Sequence, residues 1–279
     1  MRTDSPVDLA TVVAARAGDQ RAMDDLVAGC LPLVYNIVGR ALSGHADVDD
    51  VVQETMLRVV RGLGYLHDPG SFRSWLVAVT MSQVRERHRN LPPYRGAAAG
   101  GLAGADAADL DDLADPGADF VDLTILRLEL TGQRQEVVRA TRWLDAEDRE
   151  VLSLWWLEVG GHLTRAEVAT AAGTSVPHVA VRIQRMREQL DTSRRVVSAL
   201  RAKPGCPELD TVTAGWDREP DPLWRKRIAR HQQTCTGCAD RDRQLVPPER
   251  LLAGLPLLVP PTMHPTATTT ASSTATANT

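Results

Sequence analysis

"LTRAEVATAAGTSVPHVAVRIQRMREQL", Leu163 to Leu190, decides how this chain folds. Thr164 followed by Glu167 is a capping box, so a helix starts there. It runs through Val168 to Ala172. Gly173 can take the left-handed backbone that a tight turn needs. Ser175 can cap a second helix, and Pro177 is tolerated in that helix's first turn. Along the second helix Val179, Ile183, Met186 and Leu190 recur at helical spacing and make one apolar stripe. The remaining side carries His178, Arg182, Gln184 and Arg185. Two helices about a glycine turn, the second basic on its outer face, read as a helix-turn-helix. Arginines placed so can reach phosphates or the O6/N7 edge of guanine. A plain helical hairpin with a solvated basic face would carry the same pattern.

The surrounding chain is helical as well. Upstream, "WLDAEDREVLSLWWLEV" (143–159) turns Leu144, Val151, Leu152 and Leu154 toward a core and would support the pair as a bundle. Residues 6–90 repeat with helical period and form a first domain. Residues 91–120 are rich in Ala, Gly and Asp, with Arg95 their only cation, and read as a flexible acidic linker. Residues 121–200 form the helix-turn-helix domain, and 201–245 a small Cys/His-bearing domain. Residues 246–279 pair an apolar segment, a docking piece or a short buried strand, with a Thr/Ala/Ser tail expected to be disordered. The fold class expected is all-α.

Net charge is −4, so any nucleic-acid surface must be local to one element. The longest apolar run, "LLAGLPLLVPP", is about half of what a membrane span needs. No secretory signal opens the chain. A cytoplasmic protein without a membrane span is expected. Cys30 reads as a small buried residue of the first domain.

Two stretches of the first domain are informative. In "HADVDDVVQETMLRVVRGL" (45–63), Asp47 can cap a helix whose Val48, Val52, Val59 and Leu63 face inward. Asp50, Gln53, Glu54 and Arg58 share its outer face. In "HDPGSFRSWLVAVTMSQVRERHR" (67–89), Ser71 can cap a helix with Phe72 and Trp75 early and Arg85, Arg87, His88 and Arg89 late. The helix dipole accounts for part of that charge. Aromatics and cations on one helix also suit single-stranded DNA, where bases stack and phosphates need charge.

The third feature is "RHQQTCTGC" (230–238). His231 and Cys235 share one helical face, and Thr236-Gly237 can bend Cys238 back toward them. A structural zinc site takes four Cys or His ligands in a tetrahedron, and Cys206 is the best fourth. Zn2+ is the expected cofactor, held by Cys206, His231, Cys235 and Cys238. Incidental cysteines, or a site that only staples a small domain, remain the plainer alternatives.

Together these stretches resemble a known family. "DVDDVVQETMLRVVRGL" and "GSFRSWLVAVTMSQVRERHR" are similar to conserved region 2 of bacterial extracytoplasmic-function sigma factors. "LDAEDREVLSLWWLEV" with the helix-turn-helix stretch is similar to their region 4. Ala180 and Val181 depart from the family's usual basic and small polar residues. The C-terminal cluster resembles zinc-binding anti-sigma domains, here fused to the sigma domains.

The resemblance implies a non-enzymatic promoter-specificity subunit whose partners are core RNA polymerase and promoter DNA. Asp50, Gln53, Glu54 and Arg58 would grip the polymerase. Phe72, Trp75, Arg85, Arg87, His88 and Arg89 would capture the −10 element. Ser175, His178, Arg182, Gln184 and Arg185 would read the −35 element. The extension would contact the sigma domains and regulate them. The residues alone also allow a free-standing helix-turn-helix repressor with a zinc-stabilised or redox sensor domain.

Overall fold

Alternating apolar and polar residues at helical period, with no run of alternating strand type, leave helix packing as the route to a core. The computed structural model describes residues 8–42, 47–90, 121, 124, 125, 128, 130–239, 245–258 and 260. The described residues are helical, with no strand among them. The acidic linker, residues 91–120, and the Thr/Ala/Ser tail lie outside them.

The first four helices are α1 (Leu9–Arg16), α2 (Gln20–Leu42), α3 (Val48–Gly62) and α4 (Phe72–Asn90). Among the described residues, α2 alone is long and apolar enough to cross a membrane. Here it is the core helix: Leu26, Val34, Ile37 and Val38 are buried, and α1, α3 and α4 pack around it. Val48, Val52, Val59 and Leu63 are buried as their spacing requires. Cys30 lies in the same core, and burial pushes its thiol up to about 12.

Next come α5 (Gly132–Ala140), α6 (Ala146–Val159), α7 (Arg165–Ala171) and α8 (Val176–Arg201). The Thr164–Glu167 capping box forms in both directions. Gly173 sits at φ +66° between α7 and α8. Val179, Ile183, Met186 and Leu190 are all buried, each contributing about 1.5–3 kcal/mol relative to exposure. A Cβ at position 173 would meet nothing within 4 Å, so Gly173→Ala isolates backbone strain. It should cost about 1–2 kcal/mol, read as a lower urea midpoint at unchanged slope.

Three caps differ from expectation. Asp47 makes no cap bond to α3, because its carboxylate pairs with Arg87. Asp68, rather than Ser71, organises the turn before α4: its carboxylate accepts from Gly70 N, while Ser71 Oγ donates to Asp68 O. Ser175 holds the N-cap position, but its Oγ pairs with His178 Nδ1 at 2.9 Å. Pro177 stands second in α8 and has no N–H for that hydroxyl to cap.

The extension is α9 (Pro207–Val212), α10 (Pro222–Thr234), α11 (Thr236–Ala239) and α12 (Pro248–Leu252). α10 lies along α8, and α8 runs on to Arg201 to meet it. Trp143 stacks with Trp216 at 5.3 Å, and Trp216 with Trp224 at 6.1 Å. Buried Arg225 donates from Nη1 to Trp143 O at 2.6 Å. Beyond α12 the apolar segment docks rather than forming a strand, with Leu252, Leu255 and Leu258 buried.

The two domains also touch. α2 packs on α6, and α4 on α7. The Arg40 guanidinium lies 4.2 Å from the Trp156 ring centroid, and burial lowers its pKa to about 9.

Candidate functional site

Three surfaces and one side-chain cluster carry the expected chemistry. On α8 the buried stripe fixes the helix rotation, so the opposite side must face outward. Ser175, His178, Gln184 and Arg185 are exposed and Arg182 is half-buried. Gln184 Nε2 donates to Glu188 Oε1 at 3.0 Å. Arg182 lies in the field of Asp148, whose carboxyl is raised above its ordinary range first by burial and then by Asp145.

On α4 the expected −10 residues divide. Phe72 is a core side chain at 3% exposure, and Trp75 is half-buried with its ring 6.0 Å from that of Phe72. Neither is a free stacking platform in this arrangement. Arg85, Arg87 and His88 are half-buried and Arg89 is exposed. Arg85 Nη2 donates to Ala171 O at 2.7 Å, and its Nε faces Glu150 Oε2 at 3.3 Å. Glu150 Oε1 lies 3.0 Å from His88 Nδ1. Glu150 is therefore a second partner for this basic end, and sequence reading missed it. In sequence it is one more polar residue of an amphipathic helix, with no local sign of what it meets.

On α3, Asp50, Gln53 and Arg58 are exposed and Glu54 is half-buried. Arg58 bridges Glu54 Oε1 at 2.9 Å and Glu86 Oε2 at 3.2 Å, which joins the outer faces of α3 and α4.

The cluster draws on three elements. Cys206 precedes α9, His231 lies in the last turn of α10, Cys235 caps that helix, and Cys238 is in α11. Their ligand atoms all lie within 4.8 Å of one another, so the four could hold a metal ion. Cys206 Sγ is 3.8 Å from Cys235 Sγ and 3.5 Å from His231 Nε2, and Cys238 Sγ is 3.5 Å from that same nitrogen. The edges of a tetrahedron with ordinary zinc bond lengths are about 3.8 Å for two sulfurs and about 3.5 Å for sulfur and nitrogen. The donor set and these three separations fit zinc.

The thiols are not equivalent. Cys206 falls to about 7, first through the Leu209 backbone N–H and then through hydrogen bonds with His231 and the other thiols. Cys238 rises to about 12, because burial penalises its thiolate.

The sigma-70 region 2 family profile matches residues 26–91. The chain is 30% identical over 196 residues to the RNA polymerase sigma factor NccH of Alcaligenes xylosoxydans xylosoxydans, covering 67% of this chain and 95% of that one. It is 32% identical over 194 residues to the RNA polymerase sigma factor CnrH of Cupriavidus metallidurans, covering 67% and 94%. A probable RNA polymerase sigma factor of Xanthomonas campestris, RfaY, is 32% identical over 208 residues; the match spans 72% of this chain and 48% of that relative. A solved structure of CnrH in complex with the cytosolic domain of CnrY aligns with a TM-score of 0.45 at 27% identity, covering 66% of this chain and 95% of that chain.

Proposed function

The chain belongs to the extracytoplasmic-function sigma factors of the sigma-70 family, and from that premise we propose how its surfaces share the work of initiation. Core RNA polymerase docks on the outer face of α3 through Asp50, Gln53, Glu54 and Arg58. The basic end of α4, with Arg85, Arg87, His88 and Arg89, engages the −10 element. Ser175, His178, Arg182, Gln184 and Arg185 on α8 read the −35 element in the major groove. Catalysis is left to the polymerase, in the cytoplasm.

The observation that carries this reading is the outward basic face of α8 above a fully buried stripe. A helix so fixed presents its side chains to a groove without rearranging its own domain. The exposed part of α4 is cationic rather than aromatic, which suits phosphate contact more than base stacking by Phe72. The free-standing repressor finds no support among the named relatives.

Cys206, His231, Cys235 and Cys238 hold a structural zinc ion in this reading. The metal cross-links three short helices that bury little surface of their own. Among the described residues of 202–239, Leu209, Ile228 and Cys238 are the buried hydrophobic side chains. A domain that small needs a staple.

The test is run-off transcription with purified core polymerase. Adding the full chain should produce promoter-dependent transcripts, and the two proteins should co-elute in gel filtration. No transcript together with no co-elution would remove the polymerase and promoter assignments at once.

A further inference from the structure

The segment after the cluster of Cys206, His231, Cys235 and Cys238 runs back over both helical domains. Val246 is held at both backbone groups: its N–H donates to Gln133 Oε1 at 2.8 Å, and its carbonyl accepts from Arg194 Nη1 at 2.9 Å. Glu249 pairs with Arg187 of α8 at 2.5 Å. α12 then packs on α5 and α6. The segment ends on α2, in the other domain. There Leu258 N donates to Asn36 Oδ1 at 3.1 Å, and Asn36 Nδ2 donates to Leu258 O at 2.7 Å. Asn36 is fully buried, so this two-point amide lock is shielded from water.

Away from the segment, the two domains also meet on side chains that the −10 assignment gives to DNA. Glu150 takes Arg85 and His88, and Ala171 O takes the other side of Arg85. A carboxylate holding the Arg85 guanidinium and the His88 ring excludes a phosphate of like charge. Distance points the same way. The −10 and −35 elements lie about 25 base pairs apart, roughly 85 Å at about 3.4 Å per step. A folded chain of this length has a radius of gyration of about 19 Å. The two faces cannot span the promoter while α4 rests on α7. The roughly 30 residues between the domains reach at most about 100 Å, enough for the domains to part on their tether.

We propose that residues 245–258 are an autoinhibitory strap: locked on Asn36 and Arg187, they hold the domains closed with Glu150 on Arg85 and His88 of α4. Promoter engagement requires the strap to leave α2. The inhibitory sense rests on the −10 and −35 assignments above, so closure and transcription are read separately.

The experiment uses the full chain carrying Leu255→Ser with Leu258→Ser, studied by small-angle scattering and by run-off transcription at limiting core polymerase. The radius of gyration should rise, and transcript yield should rise about fivefold or more, the lower end of ordinary allosteric coupling. Glu249→Ala removes one half-buried ion pair and no apolar core side chain, and should move both readings the same way by less. It guards against a double variant that fails to fold. An unchanged radius in both variants overturns the strap. A larger radius with a lower yield overturns its inhibitory sense. A larger radius with no transcript from either wild type or variant supports closure by the strap and sinks the promoter assignments instead.

Discussion

Arg182→Ala with Arg185→Ala should cut transcription from a −35-dependent promoter by about 30-fold or more, with core polymerase binding unchanged. A good arginine contact to a base edge is worth about 1–3 kcal/mol, so losing two costs at least about 2 kcal/mol, and 1.4 kcal/mol is tenfold. Neither side chain belongs to the buried stripe of Val179, Ile183, Met186 and Leu190: Arg185 is exposed and Arg182 half-buried. Truncation there removes charge without opening a cavity. The check is a pair of assays on one preparation, run-off yield and co-elution with core. Wild-type yield from the double variant would mean that α8 does not read the promoter.

Cys206→Ser should abolish stoichiometric metal binding, from one zinc per chain to none after dialysis. Cys206 Sγ meets His231 Nε2, 25 residues on, and so links the start of α9 to the end of α10. A serine hydroxyl is a poor zinc ligand, and three remaining donors leave the tetrahedron open. Metal binding in such sites is largely folding free energy, so the extension should loosen too. Faster proteolysis between Val212 and Pro222, with the helices of the first domain still protected, is the second reading. A chelator should reproduce it in the wild type. Affinity should also fall as pH drops, because the thiols must lose their protons to bind. Cys206 is already drawn down to about 7, whereas Cys238, up at about 12, gives up its proton only to the metal. One zinc retained by Cys206→Ser would remove that residue from the site.

Local chemistry was legible where both partners lie within a few residues. The Thr164–Glu167 box, the Gly173 turn and the stripe of α8 each concern one or two turns of backbone, and each forms as read. Three of the metal donors are neighbours on one helix and the bend that follows it, so only Cys206 had to be found at a distance. Asp47, Ser71 and Ser175 do not make the cap bonds their positions allow, for one shared reason. A short polar side chain takes the strongest partner in reach, and Arg87, Asp68 O and His178 were in reach. Phe72 looked like a stacking residue because an aromatic beside cations carries no mark of which way it faces.

By itself the sequence determined an all-α chain, the rotation of α8, the outer face of α3 and the gathering of His231, Cys235 and Cys238, because helical period and short spacings encode them. Only the tertiary structure decided that Glu150 covers Arg85 and His88, that Arg225 and the tryptophans seat the extension on the second domain, and that Leu258 is locked on Asn36. Those pairs are 62 to 222 residues apart in the chain. No periodicity records such a meeting. It depends on how whole domains pack, and on which buried polar groups must then find each other.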